Sequence, residues 1–170
     1  SSSGSVGRAA DFTGIAIDGS EDVWVSASKL SASGVLGDHR GILLDGSSAT
    51  FRNVLIETGE SEGTTGLSVG EESEATLLHV TIDGGSHSGG SAVGIALDGG
   101  GALSLTNSLI LVDEAVTTAG ILCDGTGAPS LAIENSIFGI NSTSPSLSIY
   151  PDCQGDAYPD IASLEGNADI

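Results

Sequence analysis

The chain has 170 residues, with 4 Lys plus Arg against 23 Asp plus Glu and a formal net charge of −19. That balance argues against nucleic acid and anionic membrane surfaces as partners, and no apolar run approaches the roughly 18 residues of a membrane span. There are 26 Gly and no Met, so the sequence is expected to be a processed mature form or a piece of a longer protein.

The first predicted strand is Gly14-Ile-Ala-Ile-Asp-Gly, in which Ile15 and Ile17 alternate with small residues. Period-two alternation is a strand signal, and the closing Asp-Gly is a turn signal. A second phrase follows, Val25-Ser-Ala-Ser-Lys-Leu30. The pair then returns. Gly41-Ile-Leu-Leu-Asp-Gly precedes Phe51-Arg-Asn-Val-Leu-Ile56, and Gly66-Leu-Ser-Val-Gly-Glu precedes Leu77-Leu-His-Val-Thr-Ile82. Gly94-Ile-Ala-Leu-Asp-Gly precedes Leu105-Thr-Asn-Ser-Leu-Ile110, and Gly120-Ile-Leu-Cys-Asp-Gly precedes Ile133-Glu-Asn-Ser-Ile-Phe138. The first phrase recurs in steps of 27, 25, 28 and 26 residues. A period in this range, built on β-branched residues and turn glycines, marks a solenoid.

In the second phrase, positions one, four and six are expected to point inward. Position three is Ala27, Asn53, His79, Asn107 and Asn135. A recurring Asn there predicts a bend between two short strands, with its amide bonding to backbone and to the next copy. Each repeat is then one turn of coil with about three short strands, stacked in parallel about 4.8 Å from the next. Ile15, Ile42, Leu67, Ile95 and Ile121 form one inward column; Leu30, Ile56, Ile82, Ile110 and Phe138 form another. The expected fold is all-β: a parallel β-helix of five to six rungs, 25–28 residues each, in one domain spanning 1–170. Rungs start near 14, 41, 66, 94 and 120, and the last, over 146–170, is irregular.

The segments Leu105-Thr-Asn-Ser-Leu-Ile110 and Ile133-Glu-Asn-Ser-Ile-Phe138 resemble the Asn-Ser-Ile rungs of the right-handed parallel β-helix superfamily. Tyr150-Pro-Asp-Cys153-Gln-Gly and Leu164-Glu-Gly-Asn167 resemble its later rungs. The resemblance covers about residues 13 to 150. It implies right-handed coiling and points to secreted bacterial surface and adhesin-type proteins, with pectin-degrading enzymes as more distant members. Such a fold hosts many functions.

Four groups of residues are candidates for function. Asp18 and Asp45 stack on adjacent rungs, as do Asp98 and Asp124, with Gly70 between the pairs. Paired carboxylates suit Ca²⁺, although each Asp also serves its own turn. Cys123 and Cys153 lie one turn apart, within disulfide reach if their rungs stack in register, and a bridge would fit an oxidising compartment. Asp38-His39-Arg40 is a catalytic candidate with no second signature beside it. The outward column Lys29, Leu55, Thr81, Leu109 and Ile137 leaves Leu55, Leu109 and Ile137 exposed, and Trp24 faces out as well. An exposed apolar stripe of this kind marks an interface.

Pectate lyases of the resembling superfamily use an acidic Ca²⁺ cluster and a basic residue that abstracts a proton. Arg8, Arg40, Arg52 and Lys29 are the only basic residues here, and none falls beside the Asp pairs in this rung assignment. The Asn-Thr-Asp, Asp-Asp and Gly-His-Gly motifs of polygalacturonases are absent. The reading therefore leans away from catalysis. The expected function is a non-catalytic extracellular or cell-surface solenoid, structural or adhesive. It would stack on copies of itself, by ends or sides, or form a segment of a longer surface protein. Surface polysaccharide is a further expected partner. The alternatives are a polysaccharide lyase or glycosidase and a carbohydrate- or Ca²⁺-binding module.

Overall fold

A computed structural model describes residues 12–31, 37–85, 90–113, 115–124, 127 and 129–140, and the backbone of 149–150. Its strands are β1 (Phe12–Asp18), β2 (Val23–Ser31), β3 (Asp38–Asp45), β4 (Ser48–Glu57), β5 (Gly63–Val69), β6 (Glu74–Leu78), β7 (Thr81–Asp83), β8 (Ser91–Leu97), β9 (Ala102–Thr106), β10 (Leu109–Val112), β11 (Thr117–Cys123), β12 (Ser130–Glu134), β13 (Ile137–Ile140) and β14 (Ile149–Tyr150). Every strand pairing is parallel. One sheet runs β1-β3-β5-β8-β11-β14; the other runs β12-β9-β6-β4-β7-β10-β13, with β2 on β4. β2 and β4 continue through the bend, whereas later turns split there into β6 and β7, β9 and β10, β12 and β13. The described strands make about four complete turns, slightly fewer than the five to six expected. Of the expected irregular last rung over 146–170, the described residues include only the backbone of β14.

The pairing register is the one the repeats imply. Ile15, Ile42, Leu67, Ile95 and Ile121 are successive partners, and so are Leu30, Ile56, Ile82 and Ile110, with Phe138 next. Ile42, Leu67, Ile95, Ile121, Phe51, Leu77, Leu105, Ile56, Ile82 and Ile110 are wholly buried. Each such side chain contributes roughly 1.5–3 kcal/mol. The bend column is left-handed throughout: Ala27, Asn53, His79, Asn107 and Asn135 have φ between 48° and 55°. Asn tolerates that region because its short amide satisfies nearby backbone. The Asn107 amide and the His79 Nε2 lie 3.4 Å apart, one turn to the next.

The opening glycines have a packing role that periodicity did not disclose. A β-carbon on Gly41 would lie 2.6 Å from both the Gly66 carbonyl oxygen and Ile56 Cγ2. Gly66 and Gly94 stand in the same relation to Ile82 and Ile110. The bare backbone at these positions lets the first sheet close onto the Leu30–Phe138 column.

Serines stitch the turns together inside the coil. The Ser20 amide donates to Ser47 Oγ at 3.1 Å, and the Ser47 amide donates to Ser73 Oγ at 3.3 Å. The amides of Val80 and Ser108 donate to Ser108 Oγ and Ser136 Oγ at 3.1 and 3.2 Å. Each serine hydroxyl also donates to a carbonyl two residues back. Backbone groups at the corners are thereby satisfied where no strand pairs them. The signal was in the sequence: Ser20 and Ser47 follow their Asp-Gly turns directly.

Candidate functional site

The acidic column is divided. Asp18 and Asp45 are register partners. The Gly70 amide then donates to the Leu44 carbonyl at 2.9 Å, placing a residue without a side chain where the next carboxylate would stand. Asp98 and Asp124 resume the column, their amides donating to Val69 and Leu97. Asp98 Oδ1 accepts the Gly99 amide at 3.0 Å, so this carboxylate supports its own turn. No group of three or more His, Cys, Asp or Glu converges among the described residues. Calcium takes six to eight oxygen ligands, and each Asp pair brings side chains from two residues.

Cys123 partners Leu97 in an inward column and is not a free thiol. Cys153, the partner expected for it, lies outside the described residues.

Asp38, His39 and Arg40 do not assemble into a cluster. His39 is 1 % exposed and points into the coil, while Asp38 and Arg40 are exposed on the other face. Strand alternation separates them. Neither His39 ring nitrogen has a hydrogen-bond partner. Phe12, its neighbour on β1, stacks edge-on at 5.8 Å between ring centroids. On the other side its register partner is Thr64, whose hydroxyl donates to the Gly84 carbonyl.

The outer column is assembled as expected: Lys29 beside Leu55, Leu55 beside Thr81, Thr81 beside Leu109, and Leu109 beside Ile137. Its exposure is uneven. Ile137 is 63 % exposed and Trp24 59 %, but Leu55 and Leu109 are half-buried. Each leucine has a side chain on both adjoining turns at strand spacing, which screens its flanks; the continuous stripe expected over Leu55, Leu109 and Ile137 reduces to its end. Trp24 heads a neighbouring column that continues through Thr50, Thr76 and Ser104.

The first turn differs from those above it. Phe12 is 44 % exposed, and Ile15, Val23, Val25 and Leu30 are half-buried. Their counterparts one turn on, Ile42, Ala49, Phe51 and Ile56, are buried. An ion pair ties this turn to the second, with Lys29 Nζ 2.9 Å from Glu57 Oε2. The hydrogen bond from Lys29 holds the Glu57 carboxyl below its ordinary value, aided by the Lys29 charge and a Ser31 hydrogen bond and opposed by desolvation. A lowered carboxyl contributes stability above its unfolded pKa, and that contribution is lost as pH falls through the folded value. Acidification below the ordinary carboxylate range is therefore expected to loosen β2 from β4. Melting curves against pH check this: Lys29→Met should flatten the acid-side slope relative to the wild type.

A family model described as a right-handed beta helix region matches residues 13–154. No curated protein and no solved structure matches the chain. The parallel register, the inward columns and this match over most of the sequence agree, and the chain belongs to the right-handed β-helix family.

Proposed function

We propose that the protein is a non-catalytic extracellular or cell-surface solenoid, structural or adhesive, that stacks end to end with copies of itself or within a longer surface protein. The observation that carries this reading is the exposed first turn. β1 and β2 each pair on one edge among the described strands, and Ile15, Val23, Val25 and Leu30 offer half-buried apolar columns there. The body that continues both the hydrogen-bond pattern and those columns is another turn of the same kind of coil, supplied by a second copy or by the same longer protein. A head-to-tail contact that does not close on itself generates a filament. Surface polysaccharide is a second proposed partner, met by the outer Trp24–Thr50–Thr76–Ser104 column, and Ca²⁺ is a proposed weak ligand of the Asp pairs.

Light scattering and electron microscopy at rising concentration test the stacking. Elongated particles that lengthen in whole-molecule steps are expected. A particle that stays monomeric at the highest concentration overturns it. Added Ca²⁺ and chelator in the same runs test whether the metal contributes.

A further inference from the structure

We propose that the first turn, β1 and β2, is a releasable strap whose opening precedes end-to-end stacking. The regulatory part rests on the stacking reading above; the strap itself does not. Three independent features make this turn easier to open than those above it. Ala27 holds the left-handed bend at φ 48°, where the third, fourth and fifth turns carry His or Asn and the second carries Asn53. Alanine pays the steric penalty of that region without a polar side chain to compensate. Beneath β1, His39 is buried with both ring nitrogens unpaired, a cost relieved as soon as β1 lifts and water arrives. Ile17 apart, the apolar side chains of this turn, Ile15, Val23, Val25 and Leu30, are only half-buried, so the turn itself gives up less apolar burial on opening than a turn covered on both sides would. The Lys29–Glu57 pair, the Ser31 hydrogen bond to Glu57 and the Ser47 and Ser48 hydroxyls, which bond to Ser20, Ile17 and Asp22, oppose release together with the ladder, but the ion pair is part-exposed and contributes little.

Opening would uncover the edges of β3 and β4 together with Ile42, Leu44, Phe51 and Ile56, all wholly buried when the strap is closed. The open end therefore presents a fuller apolar face to an incoming copy than the closed one does. Closure of the strap would then limit assembly.

Native-state hydrogen exchange on the monomer, at low concentration, tests the strap without reference to stacking. The β1 and β2 amides are expected to exchange in a common opening at least about tenfold faster than those of β5 and β8. Ala27→Asn, which places in the first turn the residue the second turn uses, is expected to slow that opening about fivefold, and His39→Leu on the order of tenfold. Exchange of β1 and β2 together with β8, or unchanged exchange in both variants, overturns the strap. The assembly rate of the same variants tests the regulation. Slower assembly supports it; slower opening with unchanged assembly overturns it and leaves stacking intact. Should the wild type never assemble, the stacking reading and the gating both fail, and the exchange data still decide whether the strap exists.

Discussion

Gly66→Val is expected to destabilise the protein by at least about 3 kcal/mol, and to do so without altering any surface property. A β-carbon at Gly66 would lie 2.6 Å from the Gly94 carbonyl oxygen and closer still to Ile82 Cγ2. The carbonyl belongs to the next turn and is held by the ladder, so it cannot move aside as a flexible side chain would. Overpacking a closed core ordinarily costs about 1–3 kcal/mol, and a clash with backbone on one side and a buried branch on the other belongs at or beyond the upper end. Urea denaturation measures it as a shift in midpoint. Gly19→Ala is the comparison. Its β-carbon meets nothing within 4 Å, although its φ is +56°, so only the left-handed penalty of roughly 1–2 kcal/mol should appear. A loss at Gly66 no larger than that at Gly19 would overturn the close-approach reading, since Gly66 itself does not sit in the left-handed region.

Phe51→Ala should cost about 3–5 kcal/mol, through lost burial and the cavity left between turns. Phe51 is wholly buried and paired in register with Val25 on one side and Leu77 on the other. Because parallel stacking holds both neighbours at strand spacing, the hole cannot collapse without breaking a ladder. Val25→Ala in the same column removes fewer atoms from a half-buried site, and should cost less than about 1 kcal/mol. Denaturation of the two variants under one set of conditions provides the check. A similar cost for both would mean that the first turn is as tightly packed as the second, and would count against the strap as well.

Much of this architecture was legible before any coordinates. The period of the glycine phrases, the inward columns and the bend at Ala27, Asn53, His79, Asn107 and Asn135 all follow from residue type and spacing. They could be read because a solenoid repeats one local problem, and each turn solves it with nearly the same residues. The outer column through Lys29, Leu55, Thr81, Leu109 and Ile137 was legible for the same reason. Its exposure was not. Alternation says which way a side chain points, not how far its neighbours on adjoining turns cover it, and Leu55 and Leu109 are screened in that way. Asp38-His39-Arg40 failed as a cluster because His39 turns inward between two exposed charged neighbours; strict alternation from Ile42 and Leu44 would have turned Arg40 inward instead, and the change of phase at Gly41 is visible only in the structure.

The sequence by itself determined the coil, its register and the direction of most side chains in the two recurring phrases, because those follow from period-two alternation repeated at a near-constant step. Only the tertiary structure decided how closely the turns approach. The contact between a glycine and an isoleucine on the facing strand, the orphaned imidazole beneath β1 and the half-covered first turn all depend on distances across the coil. Residues that meet there are 15 or more positions apart in the chain, and a local pattern carries no information about the space between them.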